Sequence, residues 1–220
     1  MIIMKTITTT MMLFLSSILF ANDSAYDKAM SSALQQLDTA STIADLQNTA
    51  NSFSRIAQVA SGDWLAPYYQ SQCMILMSFR EKDKDRKDEY LNEGEAILSV
   101  LLQSQANNAE VYALQSLLYT ARLTVDPMNR GQEYMALSGG AFHKALALDP
   151  TNPRALYLQL SNEVGMSNFF GGDTSKYCDR IESLYSHWDE YNKVEKFHPS
   201  WGLGQVKELM KNCTGTIKSN

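Results

Sequence analysis

The segment Ala141–Leu160, AFHKALALDPTNPRALYLQL, constrains the fold more than any other stretch of the chain. Phe142, Ala145 and Leu146 recur at i, i+3 and i+4, which lays them along one face of a helix. Pro150 disfavours helical backbone in the residue before it, so that helix ends at Leu148–Asp149. Asn152 is a good N-cap, and Pro153 suits the first helical position, where no amide donor is required. Leu156 and Leu160 then resume an apolar face. Two helices joined by so short a turn run antiparallel.

The same punctuation recurs along the chain. Asn107–Asn108 precede a helical pattern that starts at Ala109, and Ser61–Gly62 form a turn with Asp63 as the following cap. Tyr26, Tyr69, Tyr112 and Leu156 fall about 43 residues apart, as do Met30, Cys73, Ser116 and Leu160, a period that marks a helical repeat. Ala50, Ala96, Ser138 and Cys178 correspond in the second helices. A lone helix pair buries one stripe only, and stacking the pairs makes the stripe continuous. Small residues such as Ala96, Ser116 and Ala145 let the helices approach, while Tyr69, Tyr112 and Phe142 fill the spaces between pairs. With 11 glycines and 5 prolines in 220 residues, long helices are permitted and a turn-rich β sandwich is disfavoured. The chain is therefore expected to be all-α.

The run FHKALALDPTNPRA resembles the end of a tetratricopeptide repeat, with Phe142, Ala145 and Pro150 at that family's spacing. Ser116 and Tyr119 fit its small and aromatic positions in the preceding helix. The resemblance covers about residues 23–195 and is most similar to the secreted tetratricopeptide-type proteins of Gram-negative bacteria. It implies a right-handed α-solenoid of about four antiparallel helix pairs. The extra length per repeat falls at EKDKDRKDEY and DPMNRGQEY, and the first of these reads as a solvated helix extension or loop. The run HPSWGLGQVKELMKNC supplies a C-terminal capping helix: Ser200 caps it, Trp201 packs on the preceding pair, and Lys207, Glu208 and Lys211 face water. The family lines its concave face with the first helix of each pair. Carried over by position, this implies Gln70, Met74 and Met77, then Glu110, Ala113 and Leu117, then Arg154, Tyr157 and Ser161. A protein or peptide partner is expected there, held by Glu110, Arg154 and Tyr157 through charge and stacking.

Residues 1–21 stand apart as a leader. Lys5 is the only charge before Asp23, and Met11–Phe20 is an apolar run ending just before Ala21. As a helix this run rises about 15 Å, half of the roughly 30 Å of a bilayer's hydrocarbon core, so a cleavable secretory signal fits better than a membrane anchor. The helical domain is then 22–213, followed by a flexible tail at 214–220. A periplasmic or secreted location follows, with no membrane insertion after cleavage. Export bears on the three cysteines. Cys73 sits in the apolar run CMILMSF and reads as a buried hydrophobe. Cys178 and Cys213 lie in more polar surroundings and are expected to pair, with three free thiols as the alternative.

Little in the chain calls for chemistry. Lys plus Arg number 19 against 24 Asp plus Glu, with no basic stripe, so nucleic acid is not an expected partner. His143, His187 and His198 are the only histidines, and none stands at a metal-binding spacing with another. FFGGD at Phe169–Asp173 lacks the pattern of a phosphate loop and reads as a turn before a helix. No nucleophile-elbow motif is present. No cofactor, metal or catalytic residue is expected. A non-catalytic scaffold holding a protein or peptide is the first expectation. The alternatives are a small-molecule-binding or hydrolytic envelope protein with a pocket near Phe169 and His187, and a structural subunit of an envelope complex.

Overall fold

The computed structural model describes residues 25–60 and 62–216. The expected leader, and residues 217–220 of the expected tail, lie outside the described residues. All regular structure among the described residues is helical. Helix α1 spans 25–39. It is followed by α2 (Ile43–Val59), α3 (Leu65–Arg80), α4 (Lys84–Ser104), α5 (Ala109–Val125), α6 (Pro127–Leu148) and α7 (Pro153–Phe169). After a 3₁₀ turn at Ser175–Tyr177 come α8 (Cys178–Ser186), α9 (Trp188–Tyr191) and α10 (Leu203–Thr216). Because α10 runs to Thr216, helix continues past the domain boundary expected at Cys213.

Turn chemistry sets the helix starts. Asn152 accepts the Ala155 amide at 2.9 Å with Pro153 in the first turn, and Asn108 accepts the Glu110 amide at 3.0 Å. Asp63 takes the amides of both Leu65 and Ala66 at 3.0 Å, after Gly62 turns with φ +85°. Thr42 and Asp45 close a reciprocal capping box on α2. At the last helix the expectation shifts: Ser200 is exposed, and α10 begins three residues later at Leu203.

Each helix from α2 to α7 packs on its successor, and α3, α5 and α7 also touch in order. The extra length of the repeat lies in the helices, since α4 and α6 have 21 and 22 residues. The charged run Glu81–Glu89 thus opens α4. Within it Asp88 accepts two bonds from Arg130 at 2.8 Å and one from Arg122 at 2.9 Å. Small residues set the close approaches. A Cβ on Gly94 of α4 would stand 3.2 Å from the Met74 Cβ of α3, and Ser71 bonds the Gly94 carbonyl at 2.9 Å. Ser116 and Ser138 meet at 2.8 Å between α5 and α6.

The main core joins α1 to α7 around Phe53, Tyr68, Ile75, Leu91, Leu114 and Leu158. A smaller core of Leu160, Val164, Ile181, Leu184, Trp188 and Val206 joins α7 to α8, α9 and α10. Across it a disulfide links Cys178 to Cys213, the expected pair, with Cα atoms 5.6 Å apart. Cys73 is the remaining thiol, and burial pushes its pKa up to about 12.

Candidate functional site

A trough of about 620 Å³ runs along the odd-numbered helices, within the range of pockets that take small ligands. On α3, Tyr69, Gln72, Leu76 and Phe79 stand at i, i+3, i+7 and i+10, so one helical stripe faces the opening. Leu34 and Leu37 of α1 face it from one side. Leu117 and Thr120 of α5 and Tyr157 of α7 extend it. A strap, residues 192–202, closes it by bringing His198, Ser200 and Trp201 across, and Gln205 follows from α10. Apolar and aromatic side chains make up most of the lining, and Asp38, Gln72, Thr120, His198, Ser200 and Gln205 add polar groups to it, the mixed make-up of a small-molecule site.

Long-range bonds hold the strap. Asn192 accepts from Arg154 at 2.8 Å, and Lys193 pairs with Asp149 at 2.9 Å. Lys196 pairs with Asp27 of α1. The Tyr69 hydroxyl donates to the Phe197 carbonyl at 2.8 Å, and the Trp201 indole donates to the Tyr68 hydroxyl at 2.8 Å. The Phe197 ring meets Tyr26 edge-on at 6.0 Å. Phe197 itself has φ +61°, a costly backbone for a bulky residue that persists only where its surroundings hold it. Burial raises the pKa of Tyr69 far above the usual phenol, so its hydroxyl stays a donor.

Two residues that line the trough each carry a buried side-chain atom without a partner. Gln72 is 5% exposed, and its Oε1 accepts no hydrogen bond. The His198 Nδ1 is also buried and unpaired, while its ring meets Trp64 edge-on at 6.3 Å. Arg122 of α5, outside the trough lining, carries a third such atom at its Nε. A second, more polar cavity of about 470 Å³ lies beyond the strap, lined by Asn107, Asn108, Asn152 and Lys193, and His198 borders it too.

The residues expected on a peptide-binding face divide. Leu117 and Tyr157 line the trough. Met74, Met77 and Ala113 are instead core residues, with 4%, 0% and 0% exposure. Glu110 and Arg154 are buried against each other: the Arg154 Nη2 donates to Glu110 at 2.7 Å, and its Nε and the Asn152 amide bond the same carboxylate. Burial opposes the Arg154 charge, but the Glu110 bonds outweigh it and raise its pKa. Neither charge can meet a peptide. Gln70 and Ser161 are half-buried outside the trough lining. The reason is rotational: on α3 the open stripe is Tyr69, Gln72, Leu76 and Phe79, offset from the expected Gln70, Met74 and Met77. Met and Ala fit a core and a groove equally well, so their identity could not fix the rotation.

Neither Phe169 nor His187 is enclosed, as the expected pocket near them would require. Phe169 and Phe170 are exposed and meet each other edge-on at 5.2 Å. The His187 ring is exposed and stacks on Tyr191, with its Nδ1 2.8 Å from the Ser183 carbonyl. FFGGD is a turn, as expected: Asp173 accepts the Ser175 amide at 2.8 Å, and Gly171 has φ +68°. Among the described residues there is no cluster of metal-ligating side chains, and no helix is long and apolar enough to cross a membrane.

The chain matches no family model and no curated protein. Among solved structures it is similar to the HusA haemophore from Porphyromonas gingivalis, with 28% sequence identity. The likeness covers 90% of this chain and 95% of that one, with a TM-score of 0.73.

Proposed function

We propose that this chain is a non-catalytic haem carrier of the cell envelope or extracellular space. In this reading its helix pairs form a right-handed α-solenoid of tetratricopeptide type, and its trough holds the cargo. The observation that carries the proposal is the likeness, over nearly the full length of both chains, to a protein named as a haemophore. The trough supports it independently. Haem is a broad, flat, largely apolar ring, and Leu34, Leu37, Leu76, Leu117, Tyr157 and Trp201 offer a cleft of suitable size and character. The disulfide fits an oxidising compartment. The rival, a scaffold for a protein or peptide, loses Met74, Met77, Glu110, Ala113 and Arg154 to the interior.

Titration with haem, followed by absorbance, tests this. Saturation at one equivalent, with a shifted Soret band, is the expected result. Leu76→Glu places a carboxylate on the half-buried wall of a trough that Asp38 also lines, and should weaken binding at least about tenfold, because like charge repels the carboxylates of haem and a buried charge is costly away from water. Its effect on the melting temperature should be small by comparison. Absorbance that rises without saturating, or a Leu76→Glu variant that binds as the parent does, would remove haem from this trough.

A further inference from the structure

We propose that Trp201 is the stacking platform of the trough, laying the flat face of the cargo ring between the strap and the helix stack. This rests on the haem-carrier reading, and it names the residue that selects a flat aromatic cargo over other apolar molecules. Three tryptophans occur in the chain. Trp188 is 3% exposed in the smaller core, and Trp64 meets the rings of Tyr68 and His198 edge-on. Trp201 alone among them lines the trough. It is half-buried, and it is the largest side chain that the strap brings there.

The polar end of Trp201 is already engaged. Its indole N–H donates to the Tyr68 hydroxyl at 2.8 Å, as a buried indole requires. Part of the ring packs on the main core, and the rest borders the trough. Tyr68 is itself fully buried and meets Trp64 at 5.6 Å and Tyr69 at 5.4 Å, both edge-on. Tyr69 in turn stacks on Phe53 at 5.2 Å and holds the Phe197 carbonyl at 2.8 Å. Successive tyrosines of α3 thus fix the strap at Phe197 and again at Trp201. A platform gains from being held in advance, because a side chain that must be ordered by its ligand costs binding energy. Leu76, Leu117 and Tyr157 line the same trough from the stack. Paired aromatic rings gain beyond the area they bury, so a flat aromatic cargo gains on the indole what an aliphatic one of equal area does not.

The test uses haem and diamagnetic, metal-free protoporphyrin on the parent protein, Trp201→Phe and Trp201→Leu. In the parent, nuclear magnetic resonance should show the Trp201 ring protons moving upfield when protoporphyrin binds, the shift of protons lying over the face of a ring; this readout needs no variant to fold. Both variants lose the bond to Tyr68, and only Trp201→Phe keeps an aromatic face. Trp201→Leu should therefore bind haem about fivefold more weakly than Trp201→Phe, the worth of one aromatic pair. A merely structural role in tying down the strap would weaken both alike. If the parent binds haem and the two variants do not differ, or the Trp201 protons move downfield or stay in place, Trp201 is not the platform and the carrier reading stands. If the parent binds haem but not protoporphyrin, the face of the ring is not what is held, and this proposal falls alone. If the parent binds neither ring, the carrier reading falls and takes this proposal with it.

Discussion

The stacked helices α2–α7 and the C-terminal part of the chain, from α8 through the strap to α10, are held together in different ways. In the stack, each helix packs on the next in sequence, and capping residues a few positions away set the starts of α2, α3, α4, α5 and α7. The strap has almost no regular structure. Its bonds reach back to Asp27, Tyr68, Tyr69 and Asp149 on elements far away in the chain. The stack provides a stripe of largely apolar side chains, and the strap turns that stripe into a partly closed trough. Local rules thus build the wall, and long-range contacts build the site.

The strongest way to break this division is at the point where both parts share one residue. Arg154 is 1% exposed and binds Glu110 of α5 on one side and Asn192 of the strap on the other. Arg154→Ala leaves Glu110 buried without its countercharge and should cost about 3–5 kcal/mol in denaturant unfolding. A loss under about 1 kcal/mol would mean that the pair is solvated in the native state.

Removing the disulfide should cost less and act on one side only. Cys178→Ser with Cys213→Ser opens a loop with a sequence separation of 35 residues, which the chain-entropy account values at about 2–4 kcal/mol. Amide exchange should rise in α8 and α10 and change little in α2–α5. Equal loss of protection throughout would show that the two parts unfold as one.

Legibility follows the same line. The junctions at Asn108 and Asn152 could be read directly, because capping and proline chemistry act within a few residues. The Cys178–Cys213 pair was also within reach, since the polarity of its surroundings separated it from Cys73. The trough was not. Its α3 stripe holds Gln72 among apolar neighbours and differs from the chosen one by a rotation that composition does not encode. Glu110 and Arg154 looked like surface charges because nothing local shows that they meet across 44 positions. His198 could not be placed at all, since its position depends on where the strap crosses the stack.

Gly202 tests the strap's exit by geometry alone. Its φ of +116° is one that residues with a Cβ rarely adopt, and a Cβ there would stand 2.5 Å from Cη2 of the buried Trp188. Gly202→Ala should destabilise the protein by about 1–3 kcal/mol, measured by thermal melting. It should also weaken haem binding, because Trp201 and His198 are carried on the same strap. Haem affinity that survives the destabilisation would show that the trough closes without a correctly seated strap.

The smallest expected effect compares, in acid, a carboxylate bonded within the stack with one bonded to the strap. The bonds from Arg130 lower the pKa of Asp88, against the opposing effect of burial. At Asp149 burial acts upward most strongly, but the bonds from Lys193 and Thr151 outweigh it, and its pKa is lowered as well. Each group binds fewer protons folded than unfolded. Each contribution is therefore complete above the ordinary carboxylate pKa of about 4 and is lost as pH falls through the lower folded value. Asp88→Asn and Asp149→Asn should both flatten the acid limb of a stability profile below that pH. They should differ in what is released first: Asp149→Asn should loosen the strap and haem binding while the stack keeps its amide protection, and Asp88→Asn should loosen α4–α6. If both variants release the same amides, the strap is an integral part of the stack's cooperative unit, and its distinct bonding has no counterpart in its stability.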